Sequence, residues 1–135
     1  ADSSETNLLT RKRQDLDGRV KIAADAKADL YLSIHANYFP SPRWSGAQTF
    51  FYEGSSEGQH LAKTLQTELV KELGPNNRLA QPGDFRVLRK AKMPAAMVEV
   101  GFLSNPREAE LLSQADYQRK VATAIFQGLL RYYRN

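Results

Sequence analysis

One carboxylate stands alone in an otherwise apolar run, "PAAMVEVGF", residues 94–102. Burying an unpaired carboxylate costs several kcal/mol, so Glu99 must ion-pair, rise in pKa or face a functional cleft. A raised pKa suits a general acid or base working near neutrality. The ordinary structural alternative is an ion pair to Arg86 or Arg89 from "FRVLR". Gly101, two residues on, lets backbone or substrate approach closely. A second candidate is His35 in "LYLSIHANYFP", where an apolar strand opens into a loop. Neutral imidazole is a common zinc ligand, and a strand tip holds it rigidly, though a lone histidine there can equally be a satisfied polar residue. Asn37 can orient His35, bind a substrate amide or simply form the turn.

The other histidine, His60, lies in "EGQHLAK" with Glu57 three residues earlier. Such a pair can hold metal on a helix, but next to an apolar position a solvated surface histidine is the plainer reading. Trp44 and the Tyr38–Phe39 pair can line a sugar or peptide groove, or plug the loop that carries them. There is no cysteine among the 135 residues, which removes thiol nucleophiles, disulfides and thiolate metal sites. Phosphate-binding loops, dinucleotide-binding glycine motifs and G-x-S-x-G elbows are also missing. Zinc-assisted or carboxylate chemistry remains.

The elements that must position these groups follow from periodicity. Leu61, Leu65 and Leu69 recur every fourth residue, with Ala62 and Leu73 on the same face. They mark a helix over 57–73, stopped by Gly74-Pro75. Tyr117, Val121, Ala124, Ile125 and Gly128 mark a C-terminal helix reaching about Tyr132. A further helix is expected from Gln14 to Lys27, after a polar loop or tail over 1–12. "SNPREAELL" has an Asn105 cap, Pro106 at the first helical position and Glu108 three after the cap. Strands are expected at "LYLSI" (30–34), "GAQTFFY" (46–52), "FRVLR" (85–89) and "PAAMVEV" (94–100), the last covered on both faces. Alternating strands and helices predict one α/β layered domain. The net charge of +4 is scattered, without the basic blocks of nucleic-acid arms. No apolar run nears the roughly 20 residues of a membrane span. The chain opens on Ala1-Asp2-Ser3 rather than Met, which suggests a piece of something longer.

Taken together, "DLYLSIHAN", "GAQTFFY", "FRVLRKAKMPAAMVEVGFLSNPREAELL" and "YQRKVATAIFQGLLRYY" resemble the zinc-dependent N-acetylmuramoyl-L-alanine amidases of bacterial cell walls. Order and spacing agree from about Thr10 to the C-terminus. "RWSGAQTF" and "PAAMVEVGFLSNPREAELL" look closest to the germination-specific branch, which acts on spore-cortex peptidoglycan. The resemblance implies a mixed, mostly parallel twisted sheet with helices on both faces, a three-layer sandwich that is N-terminally incomplete here. Residues 1–135 would be roughly the C-terminal two-thirds of the catalytic domain. It makes His35 a Zn2+ ligand and Glu99 the catalytic acid/base. Asn37, Arg89 and Gly101 are expected, apart from the resemblance, to bind substrate. The implied substrate is a peptidoglycan strand bearing a peptide stem. Extracytoplasmic action, no nucleic acid, no stable membrane insertion and a regulatory protein partner complete the expectation.

The sequence departs from that pattern in one large way. The family's first strand ends in G-H-G-G and its next helix bears a glutamate, supplying two of three zinc ligands; neither motif occurs here. The remaining ligands are therefore expected upstream of this chain. A non-catalytic peptidoglycan-binding module that keeps the same groove is the alternative of a different class.

Overall fold

The computed structural model describes residues 29–38 and 41–134. The expected helix Gln14–Lys27, the polar segment 1–12 and Phe39 lie outside the described residues. Four strands, β1 (Tyr31–Asn37), β2 (Gln48–Phe51), β3 (Gln81–Pro82) and β4 (Ala95–Phe102), form a sheet in the order β1-β4-β2-β3. The β1–β4 and β2–β3 pairs are parallel and β2–β4 is antiparallel. Helices α1 (Ser56–Leu73), α2 (Arg86–Lys90), α3 (Pro106–Leu112) and α4 (Ala115–Arg134) complete the described elements.

The leucine stripe explains one face. Leu61, Leu65 and Leu69 of α1 are each 0% exposed, and burying each contributes about 2 kcal/mol. They meet Ala96, Val98, Val100 and Phe51 of the sheet and Val121 and Ala124 of α4. Gly128 lets the two helices touch, since a Cβ there would sit 2.7 Å from Leu65 Cδ2. Ser55 caps α1 by accepting from Gly58 N at 2.9 Å, and Gly74 ends it with φ 112°. The opposite face of the sheet carries a smaller cluster, Val87 and Leu88 of α2 against Ala95, Met97, Tyr31 and Phe50. Helices thus cover both faces, the layered arrangement expected from the sequence. Strand β4, interior to the sheet, is buried along all eight residues.

One expectation fails. "FRVLR" is a single helical turn, not a strand: Phe85 stays extended as its N-cap, and its carbonyl accepts from Leu88 N and Arg89 N at 3.1 and 3.0 Å. Over five residues the alternation Phe85, Val87 cannot be told from a one-turn helix that buries Val87 and Leu88 together. The segment between α1 and α2 contains the short strand β3. Asn105 caps α3 as expected, accepting from Arg107 N and Glu108 N at 3.0 and 3.2 Å. Glu108 does not close a capping box on the Asn105 N–H. Its carboxylate reaches out to Phe102 N and Gly46 N, both at 2.9 Å.

Candidate functional site

His35 and Glu99 are register partners in the parallel β1–β4 pair. Side chains alternate along a strand, so partners in register project from the same face of the sheet. Gln48 of β2 is the partner of Glu99 on its other side. Three polar side chains thus stand in a row across three strands, on the face opposite the leucine core.

The pairing slips beyond His35. Asn37 pairs with Phe102, so two steps along β1 match three along β4. This bulge turns Phe102 toward the polar face, where its ring lies 4.9 Å from the Arg78 guanidinium carbon. Bulges of this kind re-aim side chains beside functional sites. The bulge also turns Gly101 away from the row. A Cβ there would meet Glu108 Oε1 at 3.2 Å and Leu112 Cδ1 at 3.3 Å, so the glycine makes room for α3.

Glu99 is 8% exposed. Burial raises its pKa above the usual 4.5; the nearby His35, a hydrogen bond from Asn37 and the Arg78 charge pull the other way. Asn37 Nδ2 donates to Glu99 Oε2 at 2.9 Å, while Asn37 Oδ1 accepts from Tyr38 N at 2.8 Å. The amide is therefore held at both ends. His35 is exposed beside this carboxylate. The arrangement sets a desolvated carboxylate beside an exposed imidazole, a combination able to activate water at a shared metal. Among the described residues no three His, Cys, Asp or Glu side chains are grouped to hold a metal ion. His35 fits as one ligand of a larger set, and the described residues alone fall short of the three protein ligands a catalytic zinc takes.

Arg89, expected at the site, sits elsewhere. It ion-pairs with Asp84 and lines a cleft of about 430 Å3 with Tyr52, Ser55, Glu57 and Pro94. That cleft lies at the N-terminal end of β4, about 13 Å along the strand from Glu99 at 3.3 Å per residue. It contains neither His35 nor Glu99. The alternative reading, an ion pair of Glu99 with Arg86 or Arg89, is not what forms among the described residues; the Asn37 amide holds the carboxylate instead. His60 is a surface residue: its ring packs on Tyr132 with centroids 5.3 Å apart. The Tyr132 hydroxyl donates to Glu57 Oε2 at 2.9 Å, so both members of the E-x-x-H pair serve the α1–α4 contact. Burial and Glu57 push the Tyr132 hydroxyl up to about 12.

Three further side chains build the site and escaped sequence reasoning. Arg78 donates from Nε to Ser45 O at 2.7 Å and from Nη1 to Gln48 Oε1 at 3.1 Å. Its guanidinium also lies 5.6 Å from the Trp44 ring, giving that aromatic a role in holding the loop. Gln48, a polar residue inside "GAQTFFY", carried the same signal as Glu99. Glu108 ties the Gly46 turn, with its φ of 97°, to the end of β4.

The described residues thus form a mixed α/β layered domain with a buried carboxylate and an exposed imidazole in register on one polar face. The family model described as N-acetylmuramoyl-L-alanine amidase matches residues 3–131, and the chain belongs to that family. It is 45% identical over 124 residues to the germination-specific N-acetylmuramoyl-L-alanine amidase of Bacillus subtilis, covering 91% of this chain and 52% of that protein. It is 39% identical over 122 residues to the B. subtilis amidase LytC, covering 88% of this chain and 24% of that one. Among solved structures, the CwlD amidase of Clostridioides difficile in complex with the GerS lipoprotein superposes with TM-score 0.88 at 34% identity. That match covers 98% of this chain and 70% of the other. The chain therefore spans about half, or less, of these two curated relatives.

Proposed function

We propose that this chain carries part of the active site of a zinc-dependent amidase that cleaves the bond between the lactyl group of N-acetylmuramic acid and L-alanine in peptidoglycan. The observation that carries this reading is the pairing of Glu99 with His35 on one face of the sheet, with the Asn37 amide fixing the carboxylate. In this reading His35 is one zinc ligand, and the remainder lie outside the described residues. A zinc ion bound there would polarise the scissile carbonyl and acidify a water molecule. Glu99 accepts a proton from the attacking water and returns it to the departing amine nitrogen. Its desolvated position raises its pKa, which favours a group that must both take up and release a proton. Asn37 keeps the carboxylate aimed at the open side of the row.

The similarity to a germination-specific amidase supports spore-cortex peptidoglycan as the substrate and extracytoplasmic action. The amidase–lipoprotein complex among the structural relatives supports a protein partner for this chain as well. No described helix is long and apolar enough to cross a membrane.

Metal content separates this reading from a non-catalytic binding module. Elemental analysis of the full-length protein should give about one zinc per chain, with muropeptide release in a cleavage assay. His35→Ala should lower both. A protein that binds peptidoglycan, holds no zinc and releases no peptide would be the binding module instead.

A further inference from the structure

Arg78 is a half-buried cation that makes no ion pair among the described residues. Its side chain stands between the rings of Trp44 and Phe102, at 5.6 and 4.9 Å, and reaches Gln48, the register neighbour of Glu99. Two of its five N–H donors are committed, one to Ser45 O and one to Gln48 Oε1. The other three find no acceptor among the described residues, and no carboxylate there lies within ion-pairing distance of it. Glu99 feels its charge but is engaged by Asn37. The surroundings also hold its backbone. Asn76 Oδ1 accepts from Arg78 N at 2.7 Å, and Gln66 Nε2 donates to Arg78 O at 3.1 Å. Its own bonds to Ser45 O and Gln48 Oε1 restrict the guanidinium before any ligand arrives, which is the condition under which a charged donor binds an anion well. A flat guanidinium with free donors matches a carboxylate in particular.

We propose that Arg78 is a specificity-determining residue that receives a free carboxylate on the peptide of the substrate. The assignment rests on the amidase reading for its substrate class and adds that the peptide must be anionic beside the scissile bond. Peptides whose carboxylates are amidated are then poor ligands.

The test is equilibrium binding to the full-length protein carrying Glu99→Gln, which removes turnover from the measurement. The probes are a muramoyl-peptide with free carboxylates and the same molecule with those carboxylates amidated. With Arg78 present the acid should bind about tenfold or more tightly than the amide. Arg78→Gln should bring the ratio close to one, and Arg78→Lys should keep part of the preference. Equal affinities with Arg78 intact, binding of neither peptide, or an unchanged ratio in Arg78→Gln would each overturn the assignment. The wild-type comparison needs no substitution at Arg78, so a misfolded variant cannot hide the answer. Charge preference in a protein that cleaves nothing would sink the hydrolase reading and leave Arg78 standing; cleavage without preference would do the reverse.

Discussion

The Asn37 amide donates to Glu99 Oε2 at 2.9 Å, reaching across from β1 two residues beyond the histidine that faces the same carboxylate. It stabilises the ionised form of Glu99 and restrains its rotation. Asn37→Ala should therefore lower kcat about tenfold or more while leaving KM nearly unchanged. The lost hydrogen bond opposed the effect of burial, so the pKa of Glu99 rises further in the variant. The acid limb of the kcat/KM profile should move to higher pH. An unmoved limb would show that Asn37 does not act on the carboxylate.

Glu99 lowers stability in exchange for reactivity. Its unfolded form ionises near 4.5 and its folded form at higher pH. Between those two values the folded chain keeps a proton that the unfolded chain has lost, so stability falls as pH rises through that window. Glu99→Gln removes the charge at nearly constant shape. The metal-chelated variant should be more stable than the parent at neutral pH by about 1 kcal/mol, a gain common at functional sites. That gain should fade as pH drops toward 4.5. Thermal melts of both proteins across pH check the sign.

Gln66 is the polar hub beneath the site. It accepts from Thr49 N at 2.8 Å and donates to Ala47 O at 3.0 Å and Arg78 O at 3.1 Å. Gln66→Leu orphans several of these groups in a buried place. The expected loss is about 3 kcal/mol in denaturant unfolding. A loss under 1 kcal/mol would mean that water or a shifted neighbour replaces the amide.

Gly128 lies against α1, where an added Cβ would come 3.2 Å from Leu65 Cα as well as striking its Cδ2. Backbone cannot give way as a side-chain end can. Gly128→Ala should cost about 1–3 kcal/mol despite the better helix propensity of alanine. Calorimetric melting measures it directly.

Much of this molecule was legible in its sequence because single residues broke local patterns. The i, i+4, i+8 leucines of α1 and the small-residue face of α4 could only be core stripes, and Glu99 could only be an anomaly in a buried strand. The apposition of His35 and Glu99 was visible as two isolated oddities, but the register that pairs them is a property of the sheet. Arg78 gave no signal, since "NNRLAQ" has neither periodicity nor an apolar surround; Trp44, Phe102 and Gln48 confer its role from 24 to 34 residues away in the chain. "FRVLR" misled because five residues are too few to separate a period of two from one helical turn. The alternative of an ion pair between Glu99 and Arg89 rested on that same strand reading: on a strand beside β4 Arg89 could face Glu99, whereas on α2 it turns to Asp84. Gly101 was read as space for a ligand, and the bulge gives that space to Glu108.

The most direct test of the paired imidazole and carboxylate is muropeptide cleavage by full-length Glu99→Gln at matched zinc occupancy. Zinc should stay near one per chain while the turnover rate falls at least a hundredfold, because only the proton acceptor has been removed. Cleavage at the parental rate in a zinc-loaded Glu99→Gln protein would contradict the account.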